Sequence, residues 1–447
     1  MTDPRTFLFA MWDGGGNVPP VLGLVRRLVA RGHRVHILGD PTLADEAHTA
    51  GAGFTPWTSA PHRKSRRRED DVVKDYEIGN PMRMIRMFVE SFIGKPASQW
   101  AGDTLAALEA SGADMLVADM SLPATLIAGE KLGIPTAAYC PNIWMLPTSG
   151  IPPLGPGFAP ARGPLGRARD WLLRAVSHRV FARAMPYVNA ARVGHGLSPL
   201  ANIYAQMVKA DEVYVLTSPR FDFTSPAMPH NVRYGGPILD DPEWCAPWRS
   251  PWDASDRRPL VLVGLSSTYQ NQAPLLRRIV EALADLPIRG LVTLGETISA
   301  DEVLGTDNVV VVPSAPHTVV LGEAAALVTH CGHGTTMRGL VEGVPLVCCP
   351  MGRDQNDTAA RVVHHGAGVR VSPKASAAKI RQAVELVLRD PSYRQSARRL
   401  GDAIRSREGC VDVVDSLERL ASARRVRLDA RKSEMSPGLA PGNATRD

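Results

Sequence analysis

The segment HCGHGTTMRGLVEGVPLVCCP (330–350) places glycines and hydroxyl side chains where a helix is expected to begin. The first N–H groups of a helix have no partner inside it, and the macrodipole adds partial positive charge there. Glycine lets an anion approach this backbone closely, and Thr335 and Thr336 add hydroxyl donors. The segment therefore indicates either a phosphate site or an ordinary capped helix of an α/β protein.

A second glycine-rich turn, DGGGN (13–17), lies between the buried-strand pattern TFLFAMW (6–12) and the amphipathic pattern VLGLVRRLVARGH (21–33). With the following strand RVHILGD (34–40), these segments predict a βαβ unit. The alternation restarts at PLVLVGL (259–265) and continues through four more strand patterns. The sequence therefore predicts the α/β class, with two doubly wound domains built on mostly parallel sheets.

Composition shifts along the chain divide these elements. A first Rossmann-like domain is expected over 1–216, and the proline-rich segment 217–258 is expected to be a linker. A second Rossmann-like domain is expected over 259–402. A helix over 403–424 could pack back on the first domain, and the tail 425–447 is expected to be disordered because it has no apolar face.

The whole composition is that of a globular protein, with 447 residues, 44% hydrophobic and 21% charged. No segment approaches the roughly 20 apolar residues of a membrane span, and the N-terminus has no signal-peptide pattern, so we expect a cytoplasmic protein. The six scattered cysteines favour reduced thiols. The net charge of +6 comes largely from runs at 62–70 and 423–432 without interleaved aromatic residues, so no nucleic-acid partner is expected.

The segment 312–368 resembles the donor-binding motif of the family-one, UDP-glycosyltransferase-like enzymes of bacterial natural-product pathways. The resemblance extends over about residues 5–420. It implies the GT-B fold, in which two Rossmann-like domains face each other across a cleft. It also implies an inverting glycosyltransferase that moves a hexose or deoxyhexose from a dTDP- or UDP-sugar to a lipophilic acceptor such as a polyketide, macrolide or phenol.

The resemblance assigns donor roles by position, with the acceptor held by the first domain and the nucleotide sugar by the second. The residues expected at the donor diphosphate are His330, Gly334, Thr335, Thr336, Ser267, Thr268 and Gly16. Asp354 and Gln355 are expected at the sugar hydroxyls, and Ala315 and His317 at the base and ribose. Alternatively, His330 is a structural histidine and Asp354 caps a helix.

Two positions depart from the family pattern. Arg338 stands where relatives that use ribonucleotides often carry a glutamate that accepts both ribose hydroxyls. Arginine has no acceptor lone pair, which favours a dTDP-sugar. Asn17 stands where the family has its catalytic histidine, whereas Asp119 matches the aspartate that orients that histidine. The glycine turn and the end of the strand before Asp119 are expected to lie side by side, so that Asn17 hydrogen-bonds either Asp119 or the acceptor.

An amide cannot accept a proton, so three interpretations of this site stay open. Asp119 acts as the base, or the acceptor is acidic enough to need little help, or the chain is a non-catalytic homologue. Asp13 is a less favoured substitute base, because it should lie further from the acceptor.

The acceptor wall is expected in the first domain, on a helix carrying Phe88 and Phe92 and near Trp144 and Met145 beside the proline-rich segment 147–166. That segment is expected to be a lid or a disordered loop.

No essential metal is expected, since the sequence has no aspartate-rich site. The nucleotide sugar is a co-substrate rather than a cofactor, and the chain is expected as a monomer or homodimer without stable membrane insertion. The alternative enzyme classes are a membrane-lipid glycosyltransferase and a nucleotide-sugar epimerase of similar architecture.

Overall fold

Two parallel sheets form the framework of the protein. The computed structural model describes residues 3–240, 248–295 and 297–434, with side-chain surroundings as far as residue 423. The first sheet has the order β3-β2-β1-β4-β5-β6-β7 and the second β10-β9-β8-β11-β12-β13, with every pairing parallel. The strands are β1 Thr6–Ala10, β2 Arg34–Gly39, β3 Gly53–Pro56, β4 Met115–Asp119, β5 Thr136–Cys140, β6 Glu212–Val215, β7 Val232–Tyr234, β8 Leu260–Gly264, β9 Arg289–Thr293, β10 Val309–Val312, β11 Ala324–Thr329, β12 Leu346–Cys348 and β13 Gly368–Arg370.

Helices connect the strands and cover both faces of each sheet. They are α1 Val18–Ala30, α2 Ala44–Thr49, α3 Pro81–Met87, α4 Ala97–Ser111, α5 Thr125–Leu132, α6 Pro164–Phe181, α7 Met185–Gly194, α8 Ile203–Met207, α9 Ala273–Leu283, α10 His317–Glu323, α11 His333–Val341, α12 Gln355–His364, α13 Ala377–Arg389, α14 Pro391–Arg405 and α15 Val413–Glu434. This architecture confirms the prediction of two parallel-sheet α/β domains.

The apolar strand patterns arise because each sheet is buried on both faces. In β1, Leu8 packs into the layer that contains α4, whereas its neighbours Phe7 and Phe9 pack into the layer that contains α1. All three side chains are fully buried. Alternate residues of a strand face opposite sides, so a strand in the middle of such a sheet is apolar throughout.

Three segments differ from the sequence-based expectations. The proline-rich segment 217–258 is more than a connector, because its residues Val232–Tyr234 pair with β6 as an edge strand. The expected single helix before α4 is α3 followed by a π-helical turn, Phe88–Gly94. The expected disorder from residue 425 is contradicted as far as Glu434, where α15 ends. Residues 425–434 are mostly Arg, Lys, Leu, Ala and Glu, which favour helix. The rest of that tail lies outside the described residues.

The helix α15 packs on the first domain. Val413, Leu417 and Ala421 are buried in the same layer as α1. Glu418 Oε1 lies 2.7 Å from His33 Nε2, next to the C-terminal end of α1. The chain therefore returns to its N-terminal sheet after completing the second one.

None of the helices within the described ranges is both long and apolar enough to cross a membrane. The five cysteines among the described residues are free thiols, and four of them are buried. Cys245 lies outside the described residues.

Candidate active site

Each sheet has one point where its strand order reverses, between β1 and β4 in the first and between β8 and β11 in the second. Ligands of open parallel sheets bind beside such a switch point, at the carboxyl ends of the strands. Asn17 follows β1 and Asp119 ends β4, whereas Thr268 follows β8 and His330 follows β11. The residues selected from the sequence for catalysis and for the diphosphate therefore lie at the two switch points.

A glycine turn of the first domain touches the second domain at this place. A Cβ atom on Gly15 would lie 2.4 Å from Thr268 Cγ2 and 3.3 Å from Ser267 Oγ, and the backbone φ of Gly15 is +83°. Glycine alone suits both the close approach and the left-handed backbone. Gly16, the glycine selected from the sequence, is exposed, and nothing lies within 4 Å of a Cβ there. The close contact therefore belongs to Gly15.

The helix α11 begins at His333, directly after Gly332, and no side chain caps its N-terminus. Gly334 and Thr335 in the first turn are partly accessible. Thr336 differs from the expectation, because its side chain is fully buried in the domain core and its amide donates to the Gly332 carbonyl over 3.0 Å. The first-turn amides and the Thr335 hydroxyl are thus the groups available to an anion, whereas Thr336 packs in the core beneath the turn.

His330 presents a buried imidazole beside this helix. Its side chain is 7% exposed, and its Nδ1 has no hydrogen-bond partner among the described residues. Burial first, and then the positive charge of Arg353, lower the pKa of His330 to about 3. The ring is therefore neutral at physiological pH. A buried polar atom without a partner is rare in folded proteins and points to a ligand at this position.

Asp354 and Gln355 begin α12 but use their side chains differently. Asp354 occupies the N-cap position without accepting a capping hydrogen bond, so it does not cap the helix. Its Oδ2 accepts from Asn142 Nδ2 of the first domain over 2.9 Å, and burial raises its pKa. Gln355 is 2% exposed, and its Oε1 accepts from the amides of Met351 and Gly352. Gln355 therefore shapes the loop before α12, whereas Asp354 faces the other domain.

The residues selected for the base and ribose lie along the adjacent edge of the second sheet. His317 begins α10, and its Nε2 lies 3.1 Å from Thr293 Oγ1 at the end of β9. Ala315 is buried in the core of this domain, with 8% of its surface exposed. Arg338 donates to the Asp240 carbonyl over 2.8 Å, so its guanidinium is held against the segment between the domains.

Asn17 and Asp119 form a hydrogen-bonded pair at the switch point of the first sheet. Asn17 Nδ2 donates to Asp119 Oδ2 over 3.2 Å and to the Trp12 carbonyl over 2.9 Å. Asp119 Oδ1 accepts from the Ser121 hydroxyl and amide over 2.6 and 2.9 Å. Asp119 is 2% exposed, and burial raises its pKa above the ordinary range of a carboxyl despite these hydrogen bonds. The pair therefore combines a buried carboxylate with an amide on its solvent side.

The Asp13 carboxylate contacts other side chains of the first domain. Its Oδ2 accepts from the Thr42 hydroxyl over 2.8 Å and lies 3.3 Å from Arg66 Nε and 3.7 Å from Arg63 Nη1. The Asp13 carboxylate is therefore engaged with a hydroxyl and two guanidinium groups of its own domain.

An aromatic cluster adjoins the Asn17–Asp119 pair, and the sequence had not revealed its central member, Trp12. The Trp12 indole N–H donates to Ser121 Oγ over 2.9 Å, and its ring lies 4.8 Å from that of Phe92. Phe88 stacks on Phe92 with ring centroids 5.1 Å apart. Phe92 is 2% exposed and belongs to the core, so the partly accessible rings of this cluster are those of Trp12 and Phe88.

The two remaining acceptor candidates flank the proline-rich segment. Trp144 is 2% exposed, and its indole N–H donates to Thr148 Oγ1 over 2.8 Å. It is therefore a core residue rather than a wall residue, because a large aromatic ring between two layers is most stable when buried. Met145 packs against the same core and stays partly accessible.

The expected lid, residues 147–166, is docked on the second domain. The amides of Gly155 and Gly157 donate to the two carboxylate oxygens of Asp357 in α12, over 2.6 and 3.2 Å. Asn356 adds a hydrogen bond of 3.0 Å to the Gly155 carbonyl. The segment therefore bridges the two domains next to Asp354.

Among the described residues, no group of three or more His, Cys, Asp and Glu side chains could hold a metal ion.

Known proteins share this architecture. The chain matches the family model described as UDP-glucoronosyl and UDP-glucosyl transferase over residues 172–408. It is 30% identical to 4'-demethylrebeccamycin synthase of Lentzea aerocolonigenes over 420 residues, which cover 92% of this chain and 99% of the relative. The glycosyltransferase of kitacinnamycin superposes with a TM-score of 0.74 at 23% identity, covering 94% of this chain and 100% of that one. The glycosyltransferase VinC, solved in complex with dTDP, superposes with a TM-score of 0.65 at 19% identity over the same shares.

Two parallel-sheet domains that meet at their switch points define the GT-B fold of glycosyltransferases, and the structural neighbours have the same fold. The match to the family model covers more than half of the chain, and the relative of Lentzea aerocolonigenes matches along nearly its whole length. The chain belongs to the UDP-glucoronosyl and UDP-glucosyl transferase family, and it is a glycosyltransferase related to enzymes of bacterial antibiotic biosynthesis.

Proposed function

We propose that this protein transfers a hexose or deoxyhexose from a dTDP- or UDP-sugar to a lipophilic small molecule, with inversion at the anomeric carbon. The proposal is based on one observation: the turn after β1, at the switch point of the first sheet, lies against the turn after β8, at the switch point of the second. The Asn17–Asp119 pair and the aromatic cluster stand on one side of the contact between Gly15 and Thr268, and His330 and the start of α11 stand on the other. An acceptor and an activated sugar bound at these places would have their reacting atoms near each other.

The donor diphosphate would lie against the first turn of α11. The helix dipole, the amides of the first turn, the Thr335 hydroxyl and the neutral imidazole of His330 would stabilise the negative charge that develops on the leaving group. These groups supply the stabilisation that a cation supplies in other transferases, so we propose that no metal is essential. A rate that survives excess chelator is the expected result, and loss of activity restored by a divalent cation would overturn this part.

The thymidine nucleotide is the donor we favour over the uridine nucleotide. Arg338 offers no acceptor for ribose hydroxyls and donates to a backbone carbonyl instead. A deoxyribose lacks the 2′-hydroxyl and therefore loses less from that absence. The binding of dTDP by the structurally similar VinC supports the same choice.

Asp119 would receive the acceptor proton. Its Oδ1 already accepts two hydrogen bonds from Ser121, whereas Oδ2 accepts one longer hydrogen bond from Asn17. Oδ2 is therefore the oxygen with room for an acceptor hydroxyl, which would take the place of the Asn17 amide. As the proton passes to Oδ2, the acceptor oxygen attacks the anomeric carbon, and the bonding pair of the broken glycosidic bond leaves with the diphosphate.

The acceptor would pack against Trp12, Phe88 and Met145, which are partly accessible apolar side chains on the core of the first domain, Trp12 and Phe88 both against Phe92. Aromatic and methionine surfaces suit a flat or irregular lipophilic aglycone such as a polyketide, macrolide or phenol. We propose that the protein acts in the cytoplasm as a monomer or homodimer, without a nucleic-acid partner.

The test is a screen of dTDP- and UDP-sugars against a panel of phenols and macrolides, read by the mass of the product and by the anomeric coupling constant. A mass increase of one sugar with inverted configuration is the expected result. Donor binding without transfer to any acceptor would favour an auxiliary homologue, for which Asn17 at the catalytic position is the specific argument. Release of free sugar or an epimerised donor without acceptor would indicate another activity at the same cleft.

A further inference from the structure

An ion pair joins the two domains beside the turn that follows β8. Arg353 lies in the loop before α12, and its Nε and Nη2 donate to the two carboxylate oxygens of Asp75 over 2.6 and 3.1 Å. Asp75 belongs to the long segment between β3 and α3 of the first domain. The carboxylate is 11% exposed and the guanidinium 32%, so the pair is only partly screened by solvent.

The remaining arm of Arg353 enters the donor site itself. Its Nη1 donates to Thr268 Oγ1 over 2.8 Å, on the turn after β8 that touches Gly15. The same positive charge is close enough to lower the pKa of the buried His330. Arg353 is therefore close to both Thr268 and His330, two of the residues proposed to contact the diphosphate.

The backbone of Arg353 is left-handed, with φ of +55°. Glycine and asparagine adopt this conformation most easily, and other residues pay about 1 kcal/mol or more. An arginine at such a position is costly for the loop alone, and the hydrogen bonds of this side chain among the described residues go to Thr268 in its own domain and to Asp75 in the other. This cost agrees with a role in binding.

The segment that carries Asp75 also rests on the second domain through aromatic contacts. The guanidinium of Arg68 lies 4.9 Å from the ring centroid of Tyr76 and 4.4 Å from that of Tyr269, and the two rings meet edge to face at 5.0 Å. Tyr269 directly follows Thr268. The segment therefore covers the turn at which the donor diphosphate would bind.

We propose that Arg353 binds the donor diphosphate and that Asp75 occupies it when no donor is bound, so that donor binding exchanges one anion for the other. This inference rests on the proposed function and deepens its donor site. A planar guanidinium makes the same bidentate contact with a carboxylate as with a phosphate. A diphosphate carries more charge than one carboxylate and is also held by α11, so it displaces Asp75. The segment around Asp75 is then released from the second domain as the donor enters.

The exchange predicts opposite effects of two substitutions on nucleotide affinity. Asp75→Asn removes the competing charge and keeps the size of the side chain, so the dissociation constant of dTDP should fall about three- to tenfold. Arg353→Asn suits the left-handed backbone and removes the guanidinium, so the dissociation constant should rise about tenfold or more. Isothermal titration calorimetry with dTDP, and with UDP in parallel, measures both.

A double-variant cycle separates the exchange from a general charge effect. If Asp75 acts through Arg353, Asp75→Asn should change affinity little in the Arg353→Asn background. If Asp75→Asn still lowers the dissociation constant in the Arg353→Asn background, Asp75 repels the nucleotide directly, and the exchange is refuted. Glu408→Gln is the matched control, since it breaks another ion pair of this chain, with Arg220, away from the site and should leave affinity unchanged.

The opposing hypothesis is that the ion pair clamps the domains in their binding arrangement. Asp75→Asn would then weaken nucleotide binding in parallel with Arg353→Asn, and this result would overturn the proposal. Thermal unfolding of each variant shows whether it is folded. Unchanged affinity in folded variants refutes only this inference, whereas a wild-type protein that binds neither nucleotide refutes the proposed function together with it.

Discussion

Replacement of Asp119 by asparagine tests the proposed base most directly. Removal of a general base lowers a rate by about 10²–10⁴-fold, so Asp119→Asn should reduce transfer to alcohols by that factor. The donor residues lie at the switch point of the other sheet, so the dissociation constant of the nucleotide should remain close to that of the wild type. Single-turnover transfer and calorimetric nucleotide binding measure the two effects separately.

The structure also indicates a side effect of this substitution. An amide at position 119 can still accept the two hydrogen bonds from Ser121, but its Nδ2 would face Asn17 Nδ2 at the present 3.2 Å contact. Two donors facing each other in a buried site cost about 1–3 kcal/mol of stability. Urea unfolding should report this loss. Ser121→Ala is the matched control, because it disturbs the same carboxylate without removing it and should lower the rate by about tenfold at most.

The pH profile separates the remaining explanations. Burial raises the pKa of Asp119, so a rate that depends on this carboxylate should fall as the pH decreases through that raised pKa. An unassisted phenol instead gives a rate that increases towards its own pKa near about 10. Asn17→His would place an imidazole against Asp119 and should extend activity to less acidic acceptors. Full activity of Asp119→Asn on every acceptor would refute base catalysis by this residue.

Three further predictions concern the second domain. His330→Ala should raise the nucleotide dissociation constant or lower kcat/KM by about tenfold or more, or about 1.4 kcal/mol, and unchanged kinetics in a folded variant would exclude the diphosphate role. Asp354→Ala should reduce discrimination between sugar donors while the affinity for free nucleotide stays nearly constant, and a parallel loss of nucleotide affinity would make this residue structural. His333 is buried, and burial lowers its pKa to about 3. Below about pH 6.5 the unfolded chain binds a proton at His333 and the folded chain does not. The free energy of unfolding therefore decreases by up to about 1.4 kcal/mol per pH unit below that value and is unaffected by this group above it. The free energy of unfolding of His333→Gln should thus decrease less between pH 7.5 and 5 than that of the wild type, and equal decreases in urea titrations would contradict the shifted pKa.

The two sheets could be predicted because each central strand has a recognisable pattern within its own short segment of sequence. Apolar runs such as PLVLVGL (259–265) are bounded by turn residues and correspond to strands buried on both faces. Of the four edge strands, β10 was predicted from its run of four valines, whereas β3, β7 and β13 were missed. In β7, for example, three half-buried residues between prolines carry no strand pattern. Their formation depends on pairing with a neighbouring strand that is distant in the sequence.

The burial of individual side chains was the least predictable property of the site. Thr335 and Thr336 are equivalent as sequence, yet α11 turns one towards the cleft side and buries the other in the core. A helix rotates successive residues by about 100°, so neighbours cannot share a face. Trp144 and Phe92 were selected as wall residues because aromatic residues serve both cores and pockets, and the sequence alone does not distinguish these uses.

The two halves of the site differ in how far the sequence predicted them. The donor side is concentrated in contiguous turns, where His330 and the first turn of α11 form one short motif. The acceptor side is assembled from distant parts of the chain, since Trp12 reaches Ser121 and Asn17 reaches Asp119 across about a hundred residues. The expectation that the glycine turn lies beside the end of the strand at Asp119 is confirmed by the Asn17–Asp119 hydrogen bond, whereas the contact of Trp12 with Ser121 was not predicted. Under the proposed function, the buried carboxylate of Asp119, at the position of the aspartate that orients the family histidine, would be the proton acceptor of the transfer, with Asn17 in the place of that histidine.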